Sequence, residues 1–500
     1  MKNKFLSKLT DIYVFFLIVI FPLIIDKTGY FNVLNCKWKS LVLGFIMYIS
    51  IVIIYLFGYY FKRKINLLKQ IKLNKIHKSI IILIIVYILS TIFSPYLLKH
   101  NLLIGVGRAE GLIINLVYFI SALLISLFLK PSRKHLLYIA ISSICVSFIF
   151  FLQYLGLNPF NLYQKGLGIH NSFFVTTIGN IDTVSAIYCL FIPISFLSYI
   201  FLNNNKYEKI IYIISLIFSF FTFSIINVLS GKVALICFLI IVIPLIILSS
   251  KYLTRFLEVL IMFLIGYGIN IIINSKYFYD YGKIIIKFNF DLLVLVFIVL
   301  IVLLYLGKKF ISKNSYNYSS NKKLLKKIYF CILVSGLLFI ICLFLFKFNI
   351  KILSEIHEIL HGNFDDKFGT YRMFLWKRTV PLIFNYPILG SGPDTFSIQF
   401  MSKYTMDVLS VGPYSINDTV GNIYLTMLIN VGIVGLLCYL RIFYLLLRKL
   451  YKSSIYYKTL FFTIICYLIQ SCFNLSVVIV TPIFWAIVGI CIASVNVKEI

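Results

Sequence analysis

Arg372, Lys377 and Arg378 stand within seven residues of one another, and a fourth cation, Arg108, lies far upstream in the glycine-rich stretch Gly105 to Gly111. A guanidinium is a planar fork that matches two oxygens of a phosphate at once, so this set suits a phosphate ligand at the membrane surface. The competing reading has each arginine reaching toward lipid headgroups or pairing with a nearby acid such as Glu110 or Asp366.

Acids and histidines form a second set. Glu355, His357, Glu358, His361, Asp365 and Asp366 crowd together, but only Glu358 and His361 share one helical face and no HExxH occurs, so a solvated acidic loop is expected and no metal. Asp394 serves either as a cap for a short helix Thr395 to Met406 or as a catalytic group. Asp418 stands just before the apolar run after Asn422, where partial desolvation would raise its pKa and favour a role as base, against a simple N-cap. The pairs Gly105/Gly107 and Gly390/Gly392 permit turns whose amides could face an anion. No nucleotide-binding fingerprint is present, so neither an ATP-driven machine nor a bound cofactor is expected.

The elements that must position these groups are membrane helices. The 500-residue chain is 61% hydrophobic and only 13% charged, with mean hydropathy +0.99, which excludes an ordinary soluble domain. Its apolar runs are long and do not alternate, which argues against a β-barrel. The fold class expected is therefore an all-α polytopic membrane protein with about fourteen transmembrane helices, read as a single domain over 1–500 carrying an extracytoplasmic insert at 348–420. A first span from about Ile12 to Ile25 has no small-residue cleavage site after it and reads as retained. The ten cysteines include no CxxC pair and none lies in the insert, so disulfides do not hold it together.

The net charge of +31 falls largely in short loops at alternate membrane ends, most densely at Lys62 to Lys78 and Lys308 to Lys327, which marks those loops as cytoplasmic. Charge distributed in this way speaks for topology and a bilayer partner, and against nucleic acid. Counting spans from these anchors puts both termini in the cytoplasm. It also puts Arg108, the 165–182 loop, Lys232 and the whole 348–420 insert on one outer face. Within the insert, helical spacing is expected over Phe348 to Leu360 and Tyr371 to Phe384, with Asn385, Pro387, Gly390 and Gly392 ending the second helix in a sharp turn. Gly432 and Gly435 read as sites of close helix packing.

The segment Phe368-Gly-Thr-Tyr-Arg372-Met-Phe-Leu-Trp376-Lys377, followed by Tyr386-Pro-Ile-Leu-Gly390-Ser-Gly392-Pro393-Asp394-Thr-Phe396, resembles the signature of the O-antigen ligase and polymerase family of bacterial surface-glycan enzymes. Gly107-Arg108-Ala-Glu110-Gly111, Thr177-Ile-Gly179-Asn180 and Phe473-Asn474 through Pro482-Ile-Phe484-Trp485 resemble further family motifs, so the resemblance extends over nearly the whole chain, most securely 94–186 and 365–492. It implies a GT-C-like glycosyltransferase architecture in the bacterial cytoplasmic membrane and a polyprenyl-diphosphate-linked oligosaccharide donor. It also implies a glycan or cell-envelope acceptor and an inverting transfer at the outer face. By motif, Arg108 and Arg372 are expected to bind the diphosphate, with Lys377 or Arg378 assisting. Gly107, Trp376, Gly390, Gly392, Asp394, Asn422 and Tyr424 are expected to shape the loops and the substrate site.

One position departs from the family. Related sequences carry Asp-x-x-His-Asn-x-Tyr-Leu before the span, and this chain reads Asp418-Thr-Val-Gly421-Asn422-Ile-Tyr424-Leu425. Glycine cannot abstract a proton, so Asp418, which keeps its motif position, ranks first as the base. His361 and His170 are the other candidates. A transporter of polyprenyl-linked glycans and an inactive scaffold of the same fold are the rival readings. Transporters place charged or unwound elements at the membrane midplane, whereas the central spans of this sequence are nearly free of charge.

Overall fold

The computed structural model describes residues 3–63, 73–163, 173–275, 286–288, 292–313, 318–411 and 418–496, and those residues are mostly helical. In chain order the helices are α1 (Lys4–Phe15), α2 (Val33–Arg63), α3 (Lys75–Ile92), α4 (Leu112–Phe128), α5 (Lys134–Tyr154), α6 (Ile181–Phe201), α7 (Lys206–Ile226), α8 (Leu229–Ile246) and α9 (Ser250–Ile272). They continue with α10 (Leu292–Lys313), α11 (Tyr318–Leu345), α12 (Lys351–Leu360), α13 (Arg372–Ile383), α14 (Phe396–Val411), α15 (Ile423–Tyr451), α16 (Ile455–Gln470) and α17 (Thr481–Asn496). Among the described residues, eleven helices are long and apolar enough to cross a bilayer, and Leu112–Phe128 and Thr481–Val495 are shorter apolar helices. This is the architecture of a polytopic membrane protein.

Helix α6 is the axis of the bundle: every residue from Thr183 to Phe201 is buried, and α5, α7, α8 and α16 pack around it. Small hydroxyls join these helices in pairs, Ser143 with Ser219 at 2.6 Å and Ser195 with Ser215 at 2.9 Å, as polar groups do where no water can satisfy them. The opposite extreme is α10 and α11, whose apolar windows are 0% and 6% buried. Helix α10 packs along α9 and α11 touches α8, and the remaining apolar surface of each is that of a helix facing lipid.

A buried cation braces a broken stretch of backbone. Helix α1 runs on through a π turn, Phe16–Ile20, and a 3-10 turn, Phe21–Leu23. The ammonium of the fully buried Lys37 donates to the carbonyls of Phe21 and Pro22 at 2.8 and 2.7 Å, and the Thr177 hydroxyl also donates to Pro22 at 2.6 Å. A two-stranded ribbon, β1 (Phe174–Val175) with β2 (Gly179–Asn180), leads into α6. A second pairs β3 (Ile273–Ser275) with β4 (Ile286–Phe288).

The three helices expected in the insert are present as α12, α13 and α14, the last running five residues further than its spacing indicated.

Candidate active site

The insert is anchored by a break in α15. At Gly432, φ is +67°, and the helix opens to admit the chain from Pro387 to Gly392. The amides of Ser391 and Gly392 donate to the carbonyls of Ile429 and Asn430 at 2.8 and 3.0 Å, and the amide of Ile433 donates to Pro387 at 2.9 Å. The inserted strand thus replaces the helical bonds that the break removes. A Cβ at Gly432 would lie 2.2 Å from the Ile388 carbonyl oxygen, so this position must be glycine. The expectation that Gly432 serves helix packing is corrected accordingly, as is the anion-facing turn at Gly390/Gly392: the Gly392 amide is taken by α15.

Amides that face an anion do occur at the other glycine pair, and the anion is internal. Asp394 accepts from the backbone N–H groups of Gly107, Arg108 and Glu110 through one carboxylate oxygen, at 2.9, 3.0 and 3.3 Å. At Gly105 a Cβ would lie 2.4 Å from that same oxygen. Asp394 is therefore no cap for α14, since its carboxylate is spent on a loop almost three hundred residues earlier in sequence. Burial pushes its pKa up to about 6; the three amides pull it down and Asp418 adds to the rise.

Arg108 is held by Asp418, with Nε donating to one carboxylate oxygen at 2.8 Å and Nη2 to the other at 3.1 Å. Arg372 is held more loosely, its Nη2 standing 3.7 Å from Asp182 while Nη1 donates to the Gly369 carbonyl and the Thr370 hydroxyl at 3.3 and 3.2 Å. Asp182 sits in the first turn of α6, which the side chain of Asn180 caps. Gly421 has φ +66°, and a Cβ there would stand 3.8 Å from Nε of Arg372. Trp376, one turn after Arg372, donates its indole N–H to the Val420 carbonyl at 3.1 Å. Both guanidinium groups thus gather around the stretch 418–421, whose ends lie at most about 10 Å apart.

Beside Arg108 opens a cleft with about 820 Å³ of empty space, part of it open to solvent, lined by Arg108, Glu110, Asp394, Asp418, Ser476 and Trp485 among others; Arg372 is not among its lining residues. Glu110, only 8% exposed, accepts from the Tyr118 hydroxyl at 2.8 Å and from Ser476 at 3.2 Å. Burial pushes its pKa up to about 8, a rise that these two donors and Arg108 oppose and that Asp394 reinforces. Sequence suggested Glu110 as a partner for Arg108, and the structure gives that place to Asp418. The part played by Glu110 was missed, although Asn115 and Tyr118, polar residues on the face of α4 that continues from it, were a readable signal.

The remaining candidates lie in other settings. Lys377 donates to Asp366 at 2.9 Å, and Arg378 bridges Asp366 and Asp407 at 2.8 and 2.7 Å over the ring of Phe374, so these cations tie the insert to itself. They hold Asp366 below the usual carboxylate range against the opposing pull of its burial. His361 ends α12 with its ring stacked on Phe344, centroids 4.6 Å apart, and is not among the residues lining the cleft. Asn422 caps α15, accepting from the amides of Tyr424 and Leu425 at 2.9 and 3.1 Å, and the Tyr424 hydroxyl donates to the Leu468 carbonyl at 2.8 Å. His170 lies outside the described residues.

No curated protein matches the chain. A family profile does match, over residues 290–440, a stretch that holds Arg372, Trp376, Asp394, Asp418 and Gly421 and leaves out Arg108 and the 177–180 motif. The family is described as O-Antigen ligase, and the chain therefore carries an O-antigen ligase family domain at 290–440.

Proposed function

We propose that this protein transfers or polymerises a polyprenyl-diphosphate-linked glycan onto a sugar hydroxyl at the outer face of the bacterial cytoplasmic membrane, with inversion at the anomeric carbon. The observation that carries this reading is that two arginines from distant segments approach the two ends of the stretch 418–421, Arg108 through Asp418 beside the cleft and Arg372 beside Gly421. Family membership of 290–440 supports glycan transfer as the class of reaction.

In this reading the donor diphosphate takes Arg108 and Arg372 from their aspartates. Two phosphates carry more charge than one carboxylate, and the bidentate fork suits them equally well. Release of Arg108 frees both oxygens of Asp418, which then accepts the proton of the acceptor hydroxyl. That oxygen attacks the anomeric carbon, the bond from carbon to the diphosphate oxygen breaks, and polyprenyl diphosphate leaves with its charge neutralised by the two guanidinium groups. Trp376 and Asp394 keep the two arginine-bearing segments in place, one through Val420 and the other through the 107–110 amides. The insert at 348–420 covers the sugar, and about fourteen spans in a GT-C-like arrangement, with both termini cytoplasmic, carry the site.

The deciding experiment incubates purified protein with a polyprenyl-diphosphate glycan and a panel of acceptors and measures free polyprenyl diphosphate. Release that disappears in Arg108→Ala and Arg372→Ala supports transfer. No release with any acceptor sinks the proposal, and a donor stranded on the inner leaflet in cells carrying either variant indicates a transporter instead.

A further inference from the structure

The end of the bundle remote from the arginine pair carries a second concentration of charge. From Ser90, whose hydroxyl donates to Asn430 beside the break in α15, helix α3 runs back to Lys75, roughly 22 Å at 1.5 Å per residue. There α3 lies beside the last turns of α15, and the two enclose a groove with about 1630 Å³ of empty space, much of it open. Lys75 and Lys78 line one wall; Arg448, Lys449 and Lys452 line the other. Each set falls on one helical face by its spacing of three or four residues.

Among the described residues no carboxylate lines this groove and none of the five cations forms an ion pair. Five like charges facing one another across a groove repel, and a multivalent anion between them would relieve that repulsion. The floor decides which kind. Leu73, Leu445 and Val495 supply apolar surface, and the groove lies where three apolar helices end, at the level of lipid headgroups. A soluble anion would gain nothing from that floor, whereas acyl chains would cover it.

We propose that this groove binds a phospholipid with two phosphates, of the cardiolipin type, in the leaflet opposite the arginine pair. One phosphate engages the α3 wall and the other the α15 wall, so the lipid clamps the two helices together at the end remote from the break. The site is independent of the transfer reaction, and its test uses no turnover.

Full-length protein in detergent is titrated with cardiolipin, with phosphatidylcholine and with inorganic pyrophosphate, and bound lipid is counted by native mass spectrometry. Cardiolipin is expected to bind selectively. Neutralising Arg448, Lys449 and Lys452 to glutamine weakens it on the order of 100-fold, and the Lys75→Gln/Lys78→Gln pair about 30-fold. The pair Lys4→Gln/Lys8→Gln removes the same charge as the α3 pair from another helix ending at this side and should leave binding unchanged. If the triple variant does not accumulate as folded protein, the α3 pair decides alone. Equal losses in the α3 and control pairs, equal binding of phosphatidylcholine, or displacement of the lipid by pyrophosphate would each overturn the proposal.

Discussion

Arg108 and Asp418 face each other across a two-pronged ion pair, 2.8 Å from Nε to one oxygen and 3.1 Å from Nη2 to the other. While the pair is closed, both oxygens of Asp418 are occupied, so the carboxylate becomes a base only when something else takes the arginine. Asp418→Asn should therefore leave donor binding nearly intact and lower the rate of polyprenyl diphosphate release, whereas Arg108→Lys should weaken donor binding as well. Each loss should reach on the order of 100-fold in kcat/KM, as expected for one electrostatic group at a developing charge. Unchanged rates in Asp418→Asn would remove Asp418 from the mechanism.

Asp394 acts at one remove, because it holds the backbone that presents Arg108. Asp394→Ala removes the oxygen on which three amides converge and leaves them unmet, at about 1–3 kcal/mol per group. Hydrogen exchange should speed up over 105–111, and donor affinity should fall although the guanidinium is untouched. Exchange that stays slow in this loop would contradict the assignment.

Glu110 gives a stability test with a definite sign. Its folded pKa of about 8 lies above its ordinary 4.5, so between those values the folded chain holds a proton that the unfolded chain has lost. Stability from this group is complete below about pH 4.5 and disappears as pH rises through 8, a total on the order of 5 kcal/mol. Glu110→Gln keeps an oxygen to accept from Tyr118, turns an amide N–H toward the Ser476 hydroxyl, and cannot ionise. Its thermal midpoint should change less between pH 5 and 9 than that of the parent protein; parallel curves would show that Glu110 is not the group responsible.

Gly421 stands where the sequence resemblance implies a histidine, and a side chain there meets Arg372. Gly421→His costs roughly 1–2 kcal/mol because φ is +66°. It also places an imidazole beside the proposed diphosphate site. The pH profile of release should gain an inflection near the histidine range, around pH 6–7, and the rate in Asp418→Asn should be partly restored. A profile that does not move would separate this position from proton transfer.

Gly432→Ala tests the anchoring of the insert. The added Cβ would collide with the Ile388 carbonyl, and the left-handed backbone adds its own strain. A loss of roughly 2–5 kcal/mol is expected, with proteolysis appearing first in the 387–392 segment. Wild-type stability in this variant would mean that the inserted strand does not hold α15 open.

The sequence by itself determined the class of the molecule, because apolar runs of membrane length and the placement of lysines are properties of chain segments. It also determined the three helices of the insert, whose periodicity is local, and the matter of Arg108 and Arg372, whose motifs are short. The tertiary structure decided which charges meet. Asp418 rather than Glu110 holds Arg108, Asp394 holds a loop rather than a helix end, and Lys377 and Arg378 hold the insert to itself. Asp366 was already a readable partner for an arginine of the insert; the other pairings could not be read from spacing, since a carboxylate looks the same in sequence whether it caps, clamps or catalyses. Gly432 makes the same point in backbone form: a glycine in an apolar run has many uses, and only the arrival of residues 387–392 from another segment shows why a side chain is forbidden there.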